Sequence, residues 1–343
     1  MSEKPFRRGP TVVEIAKAAG LSTSTVDRVL NARSGVRAVT GKKVQAAINR
    51  LGGNWQENAT LPLRRIAFIC EAGSSFINLI EKEAKKYSAA HPELHFTFDS
   101  VPNVQVNADR FSALILRRAD ECEGIILVSR DEVKTNRAVR EAVENGVPVI
   151  CLTTDLPNSR RSAYVGLDQI GTGATAAWLM GRMLPRVPGN ILLLCSSAYR
   201  AQEEREVGFR RVLRADYAHL NILERVNIND EAEGAWLSVK KYLKENAPMA
   251  GIYNMAGGNR GIARALREAG LTDKVLFLGH ELSEFTRSLL ETGEMDAVLG
   301  HDVQSEINHC LTIFEQIRAG KPAVSIKTPL IIYNKNSFFD AGY

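Results

Sequence analysis

Residues 11–51 read TVVEIAKAAGLSTSTVDRVLNARSGVRAVTGKKVQAAINRL, and this segment carries the most specific pattern in the chain. Its apolar residues recur at helical spacing in three short stretches. Thr11 and Glu14 have the spacing of a capping box, which starts a helix. Gly20 can supply the left-handed turn that ends this first helix, and Ser22 can cap the second. The segment is predicted to be a helix-turn-helix unit with a supporting third helix.

The second of these helices has an apolar face and a polar face. Its inward residues are Val26, Val29 and Leu30. Its outward or flanking residues are Thr23, Ser24, Asp27 and Arg28. Such polar side chains hydrogen-bond to base edges or phosphates, and an arginine can contact guanine through two hydrogen bonds. Thr40 is predicted to cap the third helix, on which Lys42 and Lys43 remain available for phosphate.

The positive charge of the chain is concentrated in its first 65 residues. This stretch has twelve Lys and Arg residues against four acidic residues, a net charge of +8, whereas the rest of the chain has a net charge of −3. Neutralisation of DNA phosphates would use such a concentration of charge. Three short amphipathic helices can also form an ordinary helical hairpin, but that alternative does not explain the charge. A DNA-binding head is therefore favoured.

These features resemble the LacI/GalR family of bacterial transcription regulators, and the resemblance covers nearly the whole chain after residue 10. Its most specific part is T-V-x-E-I-A-K-A-A-G-L-S-x-S-T-V-D-R-V-L-N, residues 11–31. By this resemblance the base-reading residues are Thr23, Ser24 and Arg28. The implied phosphate contacts or caps are Ser22, Thr25, Asn31 and Thr40, and the match continues through Lys43. Asp27 replaces the family's usual serine, so it either orients Arg28 or accepts a hydrogen bond from cytosine.

The segment after the head departs from the family. Family members usually continue with Tyr-x-Pro-Asn and a hinge helix whose leucine enters the minor groove, but residues 51–63 read LGGNWQENATLPL. Leu61 is the candidate wedge, although Pro62 limits any helix there. Trp55 either stacks or anchors the linker through an apolar contact. The usual hinge mechanism is therefore not expected.

Short apolar runs alternate with amphipathic segments beyond residue 64, which predicts parallel sheets covered by helices on both faces. The predicted strands are 65–70, 94–98, 124–128, 148–152, 191–195, 222–226, 251–254, 275–279 and 329–333. The predicted helices are 76–89, 110–118, 136–145, 170–184 and 261–269. Because some 280 residues exceed one comfortable core, two α/β lobes are expected. The resemblance implies a periplasmic-binding-protein architecture with three crossings, near 166–167, 300–301 and 325–326.

The resulting domain prediction has four parts. They are a flexible basic arm (1–10), an all-α helix-turn-helix domain (11–52), an atypical linker (53–64) and an effector-binding domain (65–343). Lobe 1 is expected to comprise about 65–166 and 301–325, and lobe 2 about 167–300 and 326–343.

Ligands of open α/β sheets lie beyond the carboxyl ends of the strands, so residues that follow strands are the candidates for effector binding. The candidates are Phe76, Asp155, Arg205, Asn254, Glu281 and His301. Phe76 is either a stacking aromatic or a core residue, and Asp155 either accepts sugar hydroxyls or is an exposed turn aspartate. His301 either makes effector affinity pH dependent near neutrality or caps a helix.

The resemblance adds roles to several of these residues. Arg205 lies in Arg-Glu-Val-Gly-Phe, similar to the family's Arg-x-x-Gly-Phe signature, in which the arginine forks onto sugar oxygens. Asn254 resembles the family's sugar-binding amide, and Phe76 its stacking aromatic. Glu281 stands where relatives often have Asp, and His301 where many have Gln. A neutral sugar is favoured over a phosphorylated one, because few cations are expected near the cleft.

Other function classes have weaker support. The sequence has no His-Glu-x-x-His, Gly-x-Ser-x-Gly or P-loop pattern, so an enzyme is not expected and no cofactor or metal is implied. A transport binding protein would need a signal peptide, and residues 1–10 are charged without an apolar core. The five cysteines are widely spaced without Cys-x-x-Cys, which fits reduced thiols in the cytoplasm.

The sequence thus predicts a cytoplasmic transcriptional repressor. It would bind a pseudo-palindromic double-stranded DNA operator as a homodimer or a tetramer, with a small sugar or sugar derivative as effector. Induction and corepression both remain open, as do two alternatives without DNA regulation, namely a sugar-binding-protein-like enzyme and a transport binding protein.

Overall fold

The N-terminal part of the computed structural model is a three-helix unit. The structure describes residues 10–30, 36–51, 65–196, 199–223, 225–228, 230–246 and 248–338. The helices are α1 (Val12–Ala19), α2 (Thr23–Leu30) and α3 (Ala38–Arg50). Their buried side chains form one small core, made of Ile15, Ala16, Val26, Val29, Val44, Ala47 and Ile48. The linker predictions for Trp55, Leu61 and Pro62 lie outside the described residues.

The predicted start and end of α1 are confirmed. Thr11 donates its backbone N–H to Glu14 Oε2 at 2.7 Å, and Thr11 Oγ1 accepts from the Glu14 N–H at 3.4 Å. Gly20 has φ 66° and ψ 34°, the left-handed conformation that ends the helix. Ser22 Oγ accepts from the Thr25 N–H at 3.2 Å, as a capping residue does.

The prediction that Thr40 caps the third helix is wrong. The helix α3 begins at Ala38, and the extended residue before it, Arg37, is its N-cap without a side-chain cap. Thr40 therefore lies within the first helical turn. The alanine and valine that precede Thr40 are compatible with a helix, so the helix begins three residues earlier than it would with Thr40 as its cap.

The rest of the chain forms two lobes joined by crossovers. The first segment contains β1 (Arg65–Ala72), α4 (Ser74–Ala90), β2 (His95–Pro102), α5 (Ala108–Glu121), β3 (Gly124–Val128), α6 (Val133–Glu144), β4 (Val149–Leu152) and β5 (Ala163–Leu167). The second contains α7 (Gln169–Met183), β6 (Gly189–Cys195), α8 (Arg200–Asp216), β7 (Leu220–Ile222), β8 (Val226–Asn227), α9 (Ala232–Glu245), β9 (Gly251–Asn254), α10 (Asn259–Glu268), β10 (Leu276–His280), α11 (Glu284–Glu291) and β11 (Ala297–Gly300). The chain then forms α12 (Val303–Arg318), β12 (Ile326–Thr328) and β13 (Ile331–Tyr333).

Each lobe is built on a mainly parallel sheet. Lobe 1 has the strand order β12-β5-β4-β3-β1-β2, and all of its pairings are parallel. Lobe 2 has the order β13-β11-β10-β9-β6-β7, in which only β13 is antiparallel, and β8 also pairs with β6. Both faces of each sheet are covered by helices that bury separate apolar clusters. Within the described ranges, no helix is both long and apolar enough to cross a membrane.

The third crossover lies later in the chain than predicted. The strand β12 pairs in parallel with β5 of lobe 1, from Ile326 with Val165 to Thr328 with Leu167. Residues 326–328 therefore belong to lobe 1, and the chain crosses to lobe 2 at Pro329 and Leu330, before β13. Two short strands in succession, one at the edge of each sheet, look like one strand in the sequence. The expected strand at 222–226 is likewise divided between β7 and β8.

Close packing of α7 on α8 depends on residues without side chains. A Cβ atom added to Gly208 of α8 would lie 1.9 Å from the Ile170 carbonyl oxygen, and one added to Gly173 would lie 1.9 Å from the Arg205 carbonyl oxygen. Both contacts are with backbone atoms, which cannot move aside as a flexible side chain would. The glycines therefore set the position of α8, which carries Arg205.

We expect Gly208→Ala to lower the free energy of unfolding by about 1–3 kcal/mol, because the added methyl group forces α7 and α8 apart. Chemical denaturation followed by circular dichroism measures this change. Gly41→Ala in α3 is the matched control, since a Cβ there would meet nothing within 4 Å. Equal stability of the Gly208 and Gly41 variants would contradict the packing argument.

Candidate functional site

The polar face of α2 is the first candidate site. Ser22, Thr23, Ser24 and Arg28 are exposed, and Thr25 is half-buried. Ser22 Oγ lies 2.7 Å from Thr25 Oγ1 and 3.0 Å from Ser24 Oγ, so hydrogen bonds order the start of this helix. Its buried side, Val26 and Val29, fixes the helix on the small core. The polar residues therefore lie on one face of a helix that is anchored to the small core.

The other predicted DNA contacts have different environments. Lys43 is exposed on α3, and Thr40 is half-buried in the first turn of the same helix. Asn31 lies outside the described residues. The exposed members of the predicted set therefore lie at the start of α2, at Arg28 and, on α3, at Lys43.

The second candidate site is a cavity of about 180 Å³ between the lobes, where the carboxyl ends of both sheets meet. Of the residues predicted to bind the effector, the cavity wall includes Phe76, Arg205 and Glu281. The wall also includes Thr153, Tyr199, Asp230, Glu231, Met255 and His280. Phe76 lies in the first turn of α4, where it lines the cavity and also packs against the core of lobe 1.

Arg205 is the most constrained cation in the wall. Its side chain is 4% exposed, and its Nε donates to Gln169 Oε1 at 2.7 Å. Nη1 donates to the Met255 carbonyl at 3.4 Å, and Nη2 lies 3.8 Å from Glu281 Oε1. Gln169 in turn donates to the Thr153 carbonyl in lobe 1 at 2.8 Å. The guanidinium is therefore held in one orientation, with its charge balanced by Glu281.

His301 lies behind the cavity wall and is not part of it. Its Nε2 is 2.9 Å from Glu281 Oε2 and its Nδ1 is 2.6 Å from Glu306 Oε2, while Thr328 donates to Glu306 Oε1 at 2.7 Å. Burial lowers the pKa of His301, but Glu306 and Glu281 outweigh this effect and raise that pKa well above its ordinary value. The imidazole is therefore charged at neutral pH. This corrects the expectation of a histidine that contacts the effector and titrates near neutrality.

Two further predicted residues are also absent from the cavity wall. Asp155 turns towards Arg161, whose Nη2 donates to Asp155 Oδ2 at 2.6 Å, and the Leu156 N–H donates to Oδ1 at 2.7 Å. Asn254 is fully buried and donates to the Gly257 carbonyl at 2.8 Å and to Asn259 Oδ1 at 2.7 Å. Asp155 thus stabilises a turn, and Asn254 shapes the loop between β9 and α10.

Backbone conformation marks three wall residues, of which Thr153 and Asp230 were not predicted from the sequence. Among the described residues, four that are not glycine have positive φ, and three of them line the cavity: Thr153 (64°), Asp230 (56°) and Glu281 (67°). Such strain is concentrated at functional sites. Thr153 Oγ1 is buried and has no hydrogen-bond partner among the described residues. Burial raises the pKa of Asp230. Sequence spacing gives no sign of these conformations, because they depend on contacts between distant segments.

Two family models match the chain. A model described as bacterial regulatory proteins, lacI family, covers residues 11–52, and a periplasmic binding protein domain covers residues 66–322. The chain is a lacI-family regulator with a periplasmic binding protein domain. Its head is the helix-turn-helix DNA-binding domain of that family, which α1 to α3 form.

Solved structures of solute-binding proteins resemble the two lobes of this regulator. A glucose-galactose binding protein from Geobacillus stearothermophilus is 20% identical with a TM-score of 0.70, covering 80% of this chain and 98% of that chain. An Agrobacterium vitis solute-binding protein with bound D-fucose is 18% identical with a TM-score of 0.72, covering 80% and 96%. A Bacillus halodurans protein with bound myo-inositol is 16% identical with a TM-score of 0.70, covering 80% and 96%. The predicted fold class is confirmed. None of the curated proteins matches this regulator significantly.

We expect His301→Gln to lower the free energy of unfolding by about 3–5 kcal/mol at neutral pH, because Glu281 and Glu306 lose their buried counter-charge. Removing one carboxylate as well, in His301→Gln/Glu306→Gln, should recover much of this loss. His91→Gln is the control, since His91 pairs with Glu93 at the surface. Urea denaturation measures all four proteins.

The pH dependence of the same comparison follows from the pKa of His301. That pKa is higher in the folded chain, so the stabilisation is complete below the unfolded value of about 6.5 and is lost as the pH rises through the folded value. The stability difference between wild type and the double variant should therefore shrink in alkaline solution. A difference that grows with pH would contradict the charged imidazole.

Proposed function

We propose that this regulator is a cytoplasmic repressor whose affinity for a pseudo-palindromic operator is controlled by a small sugar-like effector bound between the lobes. The observation that carries the proposal is the presence, in one chain, of the lacI-family head and of an interlobe cavity whose wall contains Arg205. A homodimer would present α2 of each subunit to one half-site in the major groove. In this proposal Thr23, Ser24 and Arg28 read bases, and Ser22, Thr25, Asn31, Thr40 and Lys43 contact phosphates or support the helix.

The chemistry of the cavity favours a neutral effector. Arg205 is balanced by Glu281, and the rest of the wall has one further cation, Arg260, against the two carboxylates of Asp230 and Glu231. An anionic ligand such as a sugar phosphate would meet net repulsion there. Phe76 and Met255 supply apolar surface for a ring, while Thr153 Oγ1 and the guanidinium supply polar contacts. The bound D-fucose and myo-inositol of the two similar structures have this neutral, compact character.

The boundaries of the head and of the two lobes are part of the same proposal. The head comprises about residues 11–52 and the effector domain about 65–343, with lobe 1 ending in β12 and lobe 2 in β13. An effector that binds the two conformations of the lobes unequally would change the spacing of two heads and hence operator affinity.

We expect a neutral sugar at about a hundred times its dissociation constant to stabilise the lobes by roughly 2.7 kcal/mol, a melting shift of a few degrees. Thermal unfolding against pentoses, hexoses, deoxysugars, polyols and sugar phosphates measures it. The shift should be lost in Arg205→Lys, which keeps the charge but loses the fork. Arg200→Lys is the matched control, since Arg200 pairs with Glu204 on the same helix. A shift that survives in Arg205→Lys would remove Arg205 from effector recognition.

We expect Arg28→Ala to weaken binding to the preferred operator by about 1–3 kcal/mol and to relax base preference at one position. The operator is first selected from random DNA, and fluorescence anisotropy then compares it with random duplexes. Lys43→Ala is the control, because loss of a phosphate contact weakens all duplexes alike and reduces the salt dependence. Equal losses on operator and random DNA for Arg28→Ala would contradict a base-reading role.

A further inference from the structure

The lobes are in close contact beside the cavity, at Gly73. A Cβ atom on Gly73 of lobe 1 would lie 2.4 Å from the Asp230 Cβ and 3.0 Å from the Asp230 carbonyl oxygen, both in lobe 2. The backbone of Gly73 has φ −69° and ψ 152°, which any residue adopts. Its own conformation therefore does not demand glycine. Glycine is required at position 73 by the contact with Asp230 of the opposite lobe, and this contact exists only while the cleft is closed.

Glu231 completes the first turn of a helix in the other lobe. The N-cap of α4 is Gly73, which has no side chain to accept from the first backbone N–H groups. Glu231 Oε1 accepts from the Ser74 N–H at 3.1 Å and from the Ser74 hydroxyl at 2.7 Å. A carboxylate at a helix N-terminus is also favoured by the helix dipole. Lobe 2 thus supplies the cap that α4 of lobe 1 lacks.

Asp230 is bonded to both lobes. Its Oδ2 accepts from Asn103 Nδ2 of lobe 1 at 2.6 Å, and its Oδ1 accepts from the Gly257 N–H of lobe 2 at 2.7 Å. The residue is 5% exposed and has φ 56°, a conformation that its surroundings must maintain. A strained, buried carboxylate with donors from opposite sides is a closure contact rather than a surface ion pair.

We propose that Asp230 and Glu231 form a latch with Gly73, Ser74 and Asn103, and that this latch sets the balance between open and closed lobes in this regulator. The latch consists of protein groups alone, so its contacts form without effector or DNA. Closure caps α4 and opening uncaps it. Because Phe76 lies in the first turn of α4, the latch also positions one wall of the cavity.

The test is an interlobe distance measured by pulsed electron spin resonance on the full-length protein without sugar or DNA. Spin labels are placed at Lys85→Cys on α4 and Glu291→Cys on α11, both exposed, while the five native cysteines are buried. The background protein should show a main population at the closed distance. Gly73→Ala should make the longer, open distance the main population, because the new methyl group overlaps Asp230.

Two further variants separate the latch from a general loss of structure. Glu231→Gln should reduce the ratio of closed to open protein on the order of tenfold, since a charge-assisted bond is lost. Glu233→Gln on the same helix, whose side chain is 67% exposed, should leave the ratio unchanged. In an Asp230→Gly background, Gly73→Ala should have a much smaller additional effect, because the overlapping Cβ is gone. Circular dichroism checks the folding of each variant.

The latch would be overturned by a background protein that populates only the open distance, or by a Gly73→Ala distribution identical to the background. It would equally be overturned if Gly73→Ala had the same effect with and without the Asp230 side chain. A failure of the sugar panel or of operator selection would leave these outcomes unaffected.

Discussion

The buried guanidinium of Arg205 is the group on which the arrangement of the two lobes depends. It donates a hydrogen bond to Gln169, which follows the first crossover, and it faces Glu281. Glu281 in turn is hydrogen-bonded to His301, which lies at the second crossover. His301 continues to Glu306 and from there to Thr328, the last residue before the third crossover. Since an uncompensated buried charge costs several kcal/mol, these alternating charges must remain together. The three connections between the lobes are therefore tied to one side chain of the cavity wall.

This arrangement gives a physical route from the cavity to the movement of the lobes. A ligand that contacts Arg205 acts on groups that also hold the crossovers, whereas Asp230 and Glu231 join the lobes through Asn103 and Ser74, which belong to none of the crossovers. One set of interactions fixes the hinge and the other stabilises the closed position. The head precedes β1 of lobe 1 in the chain, so in the proposed homodimer a change in lobe orientation would change where the two heads stand relative to each other. Coupling of this kind requires only that the effector prefer one orientation.

The sequence predicts local features of this regulator well. The capping box at Thr11, the turn at Gly20 and the strands β3 and β9 follow from residue spacing, because each depends on neighbours in the chain. The strand β12 and the roles of Asp155 and His301 do not follow from residue spacing. Asp155 is hydrogen-bonded to Arg161, six residues later. His301 is hydrogen-bonded to two glutamates from different parts of the chain. The left-handed Thr153 and Asp230 likewise depend on tertiary contacts, which spacing does not encode.

The most direct test of effector control is the affinity of the selected operator measured with and without the sugar that raises the melting temperature. Fluorescence anisotropy of the full-length protein should show at least about a fivefold change in operator Kd on addition of that sugar, with no such change on random DNA. The change should disappear in Arg205→Lys. A sugar that stabilises the lobes while leaving operator affinity unchanged would contradict the account, because the cavity would then bind its ligand without controlling the DNA head.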